Sequence, residues 1–445
     1  MQAYIRTIQI FHSGSGKFWE KKSGMRAEII SIGTELLLGS ILNTNARFLS
    51  QRLAEQAIDV YHRTTVGDNV DRIVQSLKDA CGRSDLLITS GGLGPTEDDV
   101  TVRAIAIFLG KPLYFHRRTH AAISKRLEKH RIQMTPLIDR QCTIPKGCMV
   151  LQNENGTAPA LFCQFRFRNR KKYLAVLPGP PREMQPIFTK KILPLLVRNA
   201  RLKKEFFRVR ILKIAGALES EIAEKVTDLL RLKPPATVGI YASPGEVELK
   251  IMAKSSSKSK TYRMLHRIEK EIRRRLGRKI YGCDQETLSS VVGDLLRNRG
   301  QKLSMAESCT GGLAAHLVTE TPGCSEYFQG GVVAYSNRVK TALLFIRRRL
   351  LAQYGAVSAA VAKKMAENTR IFFQTDFAVS ITGIAGPTGG SSGKPMGLTF
   401  IAIARKSSVK CWRKQFFGSR QEIQAKSANM ALDLLRLELQ GDLEN

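Results

Sequence analysis

A short stretch near position 308 carries side chains whose types and spacing could do chemistry. Ser308, Cys309 and Thr310 follow an apolar run that predicts a strand. Gly311 and Gly312 come next, and helical apolar spacing starts directly after them. A turn from a strand into a helix exposes free backbone N–H groups, which can hold an anion or form an oxyanion hole beside a nucleophile. The alternative is a helix start capped by Ser308 or Thr310, without chemistry.

A second glycine-rich loop occurs later in the same part of the chain. Residues 377–381 predict a strand, and the sequence TGIAGPTGG follows it at 382–390. Glycines after a strand let backbone amides approach a phosphate closely. The loop lacks the Gly-x-x-x-x-Gly-Lys-Ser/Thr pattern, so it does not indicate an NTPase P-loop.

The first part of the chain has a similar loop that is accompanied by acids. A predicted strand at 85–89 runs into SGGLGPTEDD at 90–99. The glycines could hold a phosphate, and the three consecutive acids could hold a divalent cation through oxygen ligands. The alternative is a Gly-Pro turn followed by an acidic first helical turn. Because the glycines and acids coincide at the end of a strand, a binding loop is favoured.

The elements that must position this loop alternate regularly. Residues 25–32, 58–61 and 85–89 predict strands, and helical patterns separate them. Such βαβαβ alternation predicts an α/β domain with a doubly wound, mainly parallel sheet, which we place at 25–195. Ligands of these sheets bind at the carboxyl ends of the strands.

Two further domains are predicted. Residues 196–282 indicate a small α+β connector or dimerisation module, and residues 283–445 indicate an α/β domain that contains Ser308. Residues 1–24 are basic and lack the apolar core and cleavage site of a signal peptide. We expect them to be a disordered extension or the product of an upstream start.

The composition excludes several classes of protein. No apolar run in the 445 residues approaches the ~20 needed to cross a bilayer, so we expect a cytoplasmic protein without membrane contact. The eight cysteines form no Cys-x-x-Cys pair, which argues against zinc and against a disulfide framework. The net charge of +33 permits nucleic-acid binding. The cations lie in small clusters without the aromatic interleaving of an RNA-recognition motif, which favours a solvated basic surface.

Taken together, these motifs resemble the CinA family (competence/damage-inducible protein A) over all but the first 24 residues. The first domain is similar to the molybdopterin-binding fold, through residues 33–36 and 90–99. The last domain is similar to nicotinamide mononucleotide deamidases, through residues 306–312, 335–337 and 382–390. The resemblance implies pyridine-nucleotide salvage, with amide hydrolysis of nicotinamide mononucleotide in the last domain and ADP-ribose pyrophosphatase activity in the first.

Amide hydrolysis needs a nucleophile, a proton shuttle and donors for the oxyanion. No histidine accompanies Ser308, so we expect this serine to act with Lys340 as the base, its pKa lowered by burial. Tyr335 would orient or relay the proton, and amides near Thr310 would hold the oxyanion. Cys309 is the rival nucleophile. The predicted substrate-binding residues of this domain are Gly311, Gly312, Thr382, Gly383, Gly386 and Thr388.

Pyrophosphate hydrolysis calls for a divalent metal such as Mg, Mn or Co. The candidate ligands are Asp98, Asp99 and Asp68, with Glu97 in addition. The predicted phosphate-binding residues are Gly91, Gly92, Gly94 and Thr96. The last domain is expected to need no cofactor, and the resemblance implies a homodimer.

Two other hypotheses stay open. The first domain could bind or adenylylate a molybdopterin without cleaving ADP-ribose. The chain could also be a binding protein whose basic surface contacts DNA, in which case its affinity would fall steeply with salt.

Overall fold

The computed structural model describes residues 25–129, 131–199 and 205–441, so the extension predicted at 1–24 lies outside the described part. The contacts divide the chain into two compact units. The first unit runs to Phe207 and includes 254–258, and the second contains 208–253 and the chain from Ser259 onward. Within the described residues, no helix combines the length and apolar character needed to cross a membrane.

The first unit is built on a six-stranded sheet. The strands of this unit are β1 Arg26–Ile32, β2 Asp59–Val66, β3 Leu86–Ser90, β4 Leu113–Phe115, β5 Thr143–Pro145, β6 Met149–Leu151, β7 Ala160–Phe167 and β8 Arg170–Leu177. The order in the sheet is β2-β1-β3-β8-β7-β6, while β4 and β5 form a separate pair. Strands β2, β1, β3 and β8 are parallel, and β7 and β6 continue the sheet in antiparallel fashion.

Helices cover both faces of this sheet. The helices of this unit are α1 Thr34–Leu37, α2 Thr44–Glu55, α3 Val70–Arg83, α4 Thr101–Leu109, α5 Arg117–Lys129, α6 Pro136–Asp139, α7 Pro181–Ile187 and α8 Leu193–Asn199. Successive side chains of β1 point to opposite faces. Ile30 accordingly packs in a core with Leu77 of α3, whereas Ile29 packs in a second core with Leu49 of α2. The predicted doubly wound α/β fold is confirmed.

The middle region is a small α+β structure. It contains β9 Phe206–Ala215, α9 Glu219–Lys225, α10 Thr227–Leu230, β10 Ala236–Ser243, β11 Glu246–Ser255, α11 Lys258–Leu276 and β12 Ile280–Cys283. The strand order is β10-β11-β9-β12. The helical pattern from 219 to 230 gives two short helices rather than one, because Val226 leaves the helical conformation, with φ −122° and ψ 20°.

The C-terminal region has a five-stranded mixed sheet. Its elements are α12 Leu288–Asn298, β13 Leu303–Glu307, α13 Leu313–Thr319, β14 Phe328–Val333, α14 Asn337–Leu344, α15 Arg348–Tyr354, α16 Ala359–Phe373, β15 Phe377–Gly383, β16 Leu398–Arg405, β17 Ser408–Gln415 and α17 Arg420–Gln440. The order is β14-β13-β15-β16-β17, with β13 central in its parallel part. Met305 of β13 packs in the core that includes α12 and α17, whereas Ala306 packs on the opposite face against α16.

The prediction that the cysteines form no disulfide is wrong at one pair. Cys148 and Cys163 form a disulfide, with Cα atoms 4.7 Å apart. Met149 pairs with Phe162 across β6 and β7, so the adjacent cysteines lie opposite each other as a continuation of this antiparallel pair. Sequence spacing alone did not reveal this register. The other described cysteines are free.

Candidate functional site

The side chains of Ser308 and Lys340 meet at the carboxyl end of β13. Lys340 Nζ lies 2.9 Å from Ser308 Oγ. It also lies 2.6 Å from the carbonyl oxygen of Ala334 and 3.2 Å from that of Tyr335. These two residues directly precede α14, whose start is capped by Ser336, so the lysine folds back over the first turn of its own helix. A pair separated by 32 residues in sequence therefore forms one compact site.

The environment of Lys340 disfavours the charged form of its amine. Its residue exposure is only 1%, which excludes the alternative of a solvated helix lysine. Burial lowers the pKa of Lys340 to about 8, while the nearby Cys309 opposes this shift. A neutral amine has two N–H bonds and one lone pair. The two carbonyls accept the N–H bonds, and the lone pair can then accept the Ser308 hydroxyl proton, as a general base requires.

Glu307, to which the sequence analysis gave no role, holds the turn after β13. Its buried carboxylate accepts backbone N–H bonds from Gly312, Ala314 and Ala315, at 3.1, 3.1 and 2.8 Å. Gly312 is the N-cap residue of α13 and makes no side-chain cap. The alternative in which Ser308 or Thr310 caps the helix is therefore wrong, because Glu307 satisfies the helix start. The Ser308 hydroxyl is left available to Lys340.

Replacing Glu307 by alanine is expected to destabilise the protein. The change leaves three N–H groups without their charged acceptor, which we expect to lower the free energy of unfolding by about 2 to 4 kcal/mol. Urea unfolding of Glu307→Ala and Glu307→Gln measures this. The glutamine keeps one acceptor oxygen and should lose less. Equal stability of both variants and the unchanged protein would show that this carboxylate does not support the turn.

Two of the backbone amides in this turn are not free to bind an oxyanion. The Gly311 amide donates to the Ser308 carbonyl at 3.1 Å, and the Gly312 amide is bound by Glu307. These two predicted residues therefore shape the turn and have no free N–H. Thr310 is 4% exposed, and its hydroxyl has no hydrogen-bond partner among the described residues. An unsatisfied buried hydroxyl two residues from Ser308 makes Thr310 the candidate donor.

Cys309 is poorly suited to act as the nucleophile. It is buried, and burial raises the pKa of its thiol to about 12. The reactive thiolate is therefore scarce at neutral pH. Its carbonyl accepts a hydrogen bond from Gln424 of α17 at 2.8 Å, which fixes the backbone beside Ser308. His316 is an exposed residue of α13 and lies 3.5 Å from Glu320, as expected for a surface histidine.

Tyr335 and Arg420 form the outer side of this site. Tyr335 is 59% exposed, and its hydroxyl accepts a hydrogen bond from Arg420 Nη2 at 2.9 Å. Arg420 Nη1 also donates to the Gly386 carbonyl at 2.7 Å. The guanidinium therefore joins two predicted site segments and keeps further donors for a ligand. Arg420 could not be predicted from the sequence, because its only signal is a lone cation at the start of α17.

The loop after β15 is placed differently from its prediction. Thr382 is fully buried, and its hydroxyl donates to the Ala356 carbonyl at 2.9 Å, so it fixes the chain and is not free to contact a substrate. Gly383 is the last residue of β15. Gly386 precedes a cis proline bond and touches Arg420 through its carbonyl. Thr388 is exposed. The part of this loop nearest Arg420 is therefore Gly386.

The first unit contains a cavity of about 390 Å³ at the carboxyl ends of β1 and β3. Gly91 and Gly92 line it, as do Asp68, Asp98 and Asp99. Gly179 and the following Pro180–Pro181 segment form another wall. Apolar side chains at 36, 41 and 42 complete the lining. A cavity with both carboxylates and apolar walls suits a charged ligand that carries a ring.

The predicted phosphate-binding residues divide into two groups. Gly91 and Gly92 line the cavity, whereas Gly94 and Thr96 do not belong to its lining. A side chain at Gly91 would place Cβ 2.0 Å from the Ile32 carbonyl oxygen, so only glycine permits this approach of the loop to β1. Thr96 donates to Asp99 through both its amide and its hydroxyl. Gly94 and Thr96 therefore hold the shape of the loop.

The acids are spread over the cavity and do not form a tight cluster. Asp68 accepts two 2.8 Å bonds from Thr34, and Asp99 is bound by Thr96. Asp98 is exposed. Glu97 pairs with Arg140 at 3.3 Å and does not line the cavity. In the described part of the chain, no three acidic, histidine or cysteine side chains form a group that could hold a metal.

Asn45 of α2 also lines this cavity, although no sequence signal identified it as a site residue. Its side-chain amide donates to Ser90 Oγ at 3.0 Å and to the Gly179 carbonyl at 2.6 Å, so it joins α2 to two cavity loops. Its side-chain oxygen is buried without a partner among the described residues. An unsatisfied acceptor on the lining can receive a donor from a ligand.

Comparison with known proteins gives matches along most of the chain. A relative from Caldicellulosiruptor saccharolyticus, named "Putative competence-damage inducible protein", is 42% identical over 93% of this chain and 98% of the relative. A protein of the same name from Clostridium botulinum is 42% identical over 93% of this chain and its own full length. A solved CinA structure from Thermoplasma acidophilum is 34% identical over 39% of this chain and 98% of its own, with a TM-score of 0.36.

Three family models match consecutive parts of the chain. Residues 28–198 match the "Probable molybdopterin binding domain" and residues 209–282 match the "Damage-inducible protein CinA KH domain". Residues 285–439 match the "CinA C-terminal domain". With these models in sequence order and relatives above 40% identity over nearly their whole length, the chain belongs to the CinA (competence-damage inducible protein) family.

Proposed function

We propose that the C-terminal region hydrolyses the carboxamide of nicotinamide mononucleotide to nicotinate mononucleotide and ammonia. The observation that supports this most directly is the 2.9 Å contact between Ser308 Oγ and the buried amine of Lys340. A serine beside a neutral lysine is a known variant of nucleophile activation. Arg420, which contacts Tyr335 and Gly386, supplies positive charge for the substrate phosphate.

In the proposed first step, Ser308 Oγ attacks the carboxamide carbon while Lys340 Nζ takes the hydroxyl proton. The oxyanion is held by the Thr310 hydroxyl, which has no partner among the described residues. When the intermediate collapses, the C–N bond breaks and Lys340 gives its proton to the leaving nitrogen, which departs as ammonia. The product is an ester of Ser308.

The second step restores the serine. Lys340, neutral again, takes a proton from water as the water oxygen attacks the ester carbon. The C–O bond to Ser308 then breaks, the serine oxygen recovers the proton, and the carboxylic acid product ionises. Tyr335 and Arg420 contact each other at the open side of the site, so their role is to position the substrate.

We propose further that the cavity of the first unit cleaves the diphosphate of ADP-ribose. Gly91 and Gly92 would receive phosphate oxygens, while the apolar side chains and Asn45 would face the ring and sugar. Asp98 and Asp68 would hold a divalent cation, which needs only one or two carboxylates when phosphates supply the remaining ligands. Such a cation, when bound, neutralises phosphate charge and activates water.

Asp98→Asn is expected to lower metal-dependent AMP release from ADP-ribose by at least about ten-fold, because it removes a charged ligand from the cavity. Cation affinity should fall in parallel in a titration without substrate. Glu97→Gln is the matched control, since Glu97 pairs with Arg140 outside the lining. Unchanged cleavage and cation affinity in Asp98→Asn would exclude this carboxylate as a ligand.

One assay tests both proposals. The purified protein is incubated with nicotinamide mononucleotide or with ADP-ribose, with and without divalent cations, and ammonia and AMP are measured. We expect metal-independent ammonia release and metal-dependent AMP release. The family model that matches residues 28–198 is named for molybdopterin binding, which favours a second candidate for the first unit. Molybdopterin binding without AMP release would support that candidate.

A further inference from the structure

The second unit contains another groove, of about 420 Å³, whose lining shares no residue with the site around Ser308. One wall is the face of α16 that carries Lys363, Glu367, Arg370 and Ile371. The other wall is the turn between β16 and β17, residues 405–409. Its volume is in the range of sites that bind small molecules.

The groove has a surplus of positive charge. Lys363, Arg370, Arg405 and Lys406 line it, and Glu367 is its one acidic lining residue. The carboxylates nearby already have cationic partners. Glu367 lies 2.7 Å from Lys364, and the buried Glu438 lies 3.3 Å from both Arg405 and Lys410. The lining therefore attracts an anion, because Arg405 is the only one of its four cations that pairs with a carboxylate in the described part of the chain.

Hydrogen bonds within the protein orient the two arginines before any ligand arrives. Arg370 Nη1 donates to the Thr375 carbonyl at 3.3 Å, and Arg405 Nε donates to Ser408 Oγ at 2.7 Å. Each guanidinium keeps further N–H groups, and such forks match the geometry of phosphate oxygens. Ile371 is exposed and adds an apolar surface to the same groove. Oriented arginines, lysines and an apolar wall are the parts of a phosphate-compound site.

We propose that this groove binds a small compound with at least two linked phosphate groups. Arg405 already pairs with Glu438, so Lys363, Arg370 and Lys406 remain, distributed over both walls. A diphosphate carries enough negative charge to match all three cations, which a single phosphate does not. The shared chemistry is the diphosphate group, which inorganic pyrophosphate and ADP both provide. Binding to the exposed Ile371 surface distinguishes the two, because ADP has a ring that can cover it and pyrophosphate does not.

Equilibrium titration of the full chain with pyrophosphate and with ADP tests this inference. The variant is Lys363→Glu with Lys406→Glu, which reverses one charge on each wall. The control is Arg348→Glu with Arg349→Glu, which makes the same change in net charge at two exposed residues of α15 outside the groove. We expect the groove variant to lose one binding site, with affinity there at least about ten-fold weaker. The control should keep every site of the unchanged protein.

The outcomes separate this groove from the other sites. If both variants lose affinity equally, the binding is due to general charge attraction. If both variants keep every binding site, the groove does not bind these compounds. Either result overturns the proposal. Tighter binding of ADP than of pyrophosphate would assign the natural ligand to nucleotides, and the reverse to inorganic phosphates. Binding of a single-stranded oligonucleotide alone would overturn the small-molecule assignment. Ammonia release should be unchanged in the groove variant, which also confirms that it folds.

Discussion

Ser308→Ala is expected to lower ammonia release from nicotinamide mononucleotide by about 10³-fold or more, which is the usual effect of removing the nucleophile of an acyl-transfer enzyme. The alanine keeps the backbone bond from residue 308 to the Ile381 carbonyl, so the turn should persist. Only the oxygen that contacts Lys340 is removed. The loss should therefore appear in kcat, with little change in the free energy of unfolding.

Cys309→Ala is the matched control for this experiment. The thiol is adjacent in sequence, but it is buried and its pKa is raised to about 12. We expect ammonia release to stay within about a factor of three, since a small apolar side chain still fills the site. AMP release from ADP-ribose should be unchanged in both variants, because that cavity belongs to the first unit.

The opposite pattern would reject our assignment. Full ammonia release by Ser308→Ala together with its loss in Cys309→Ala would identify the thiol as the nucleophile. If both variants keep full ammonia release, neither side chain is the nucleophile, and the amide is hydrolysed elsewhere in the chain. A mass increase on Ser308 after rapid quenching with substrate would detect the ester directly.

The loops that carry the chemistry could be predicted from sequence because each lies where a strand pattern ends. The stretch at 303–307 forms β13, and α13 starts at Leu313, as the apolar spacing predicted. Likewise, the pattern at 70–81 gives α3, which continues two residues further. Strong periodicity and glycine breaks are local signals, so one segment is sufficient to read them.

The contacts that complete the site could not be predicted in this way. Arg420 and Tyr335 are 85 residues apart in sequence, so no local sequence pattern predicts their contact. Glu307 reads as part of a buried strand, although its carboxylate holds the start of α13. Thr382 reads as a free loop hydroxyl, but the chain folds it inward to the Ala356 carbonyl. Each case depends on tertiary packing, which a single sequence does not show.

Lys340→Met is expected to lower kcat by about 10³-fold, because it removes the group that takes the Ser308 proton while it keeps a side chain of similar length. The unchanged protein should also show a characteristic pH profile. Since the pKa of Lys340 is about 8, roughly a tenth of the amine is neutral at pH 7. The rate of ammonia release should therefore rise about ten-fold per pH unit below pH 7 and level off above pH 8.

The pH dependence of the unfolding free energy is an independent measure of the ionisation of Lys340. The pKa of Lys340 is lower in the folded chain than the 10.5 of a free lysine, so the unfolded chain binds more protons between about pH 8 and 10.5. The contribution of Lys340 to stability must then rise with pH across this window, and its buried charge is a cost below it. Buried thiols such as Cys309, whose pKa is raised, contribute with the opposite sign, so the contribution of Lys340 is measured as the difference between the unchanged protein and Lys340→Met. Lys340→Met removes the charge, and we expect it to be at least as stable as the unchanged protein at pH 7.

These two measurements together distinguish a base from a structural lysine. A base predicts that Lys340→Met loses activity and keeps its stability at pH 7. The unfolding free energy of the unchanged protein should then gain on that of the variant between pH 8 and 10.5. If Lys340 serves only to bind the carbonyls of Ala334 and Tyr335, Lys340→Met should lose much of its stability. The variant should then keep the pH profile of ammonia release. Because Ser308 can only lose its proton to a neutral amine, a rate that is flat from pH 6 to 9 would be incompatible with the mechanism.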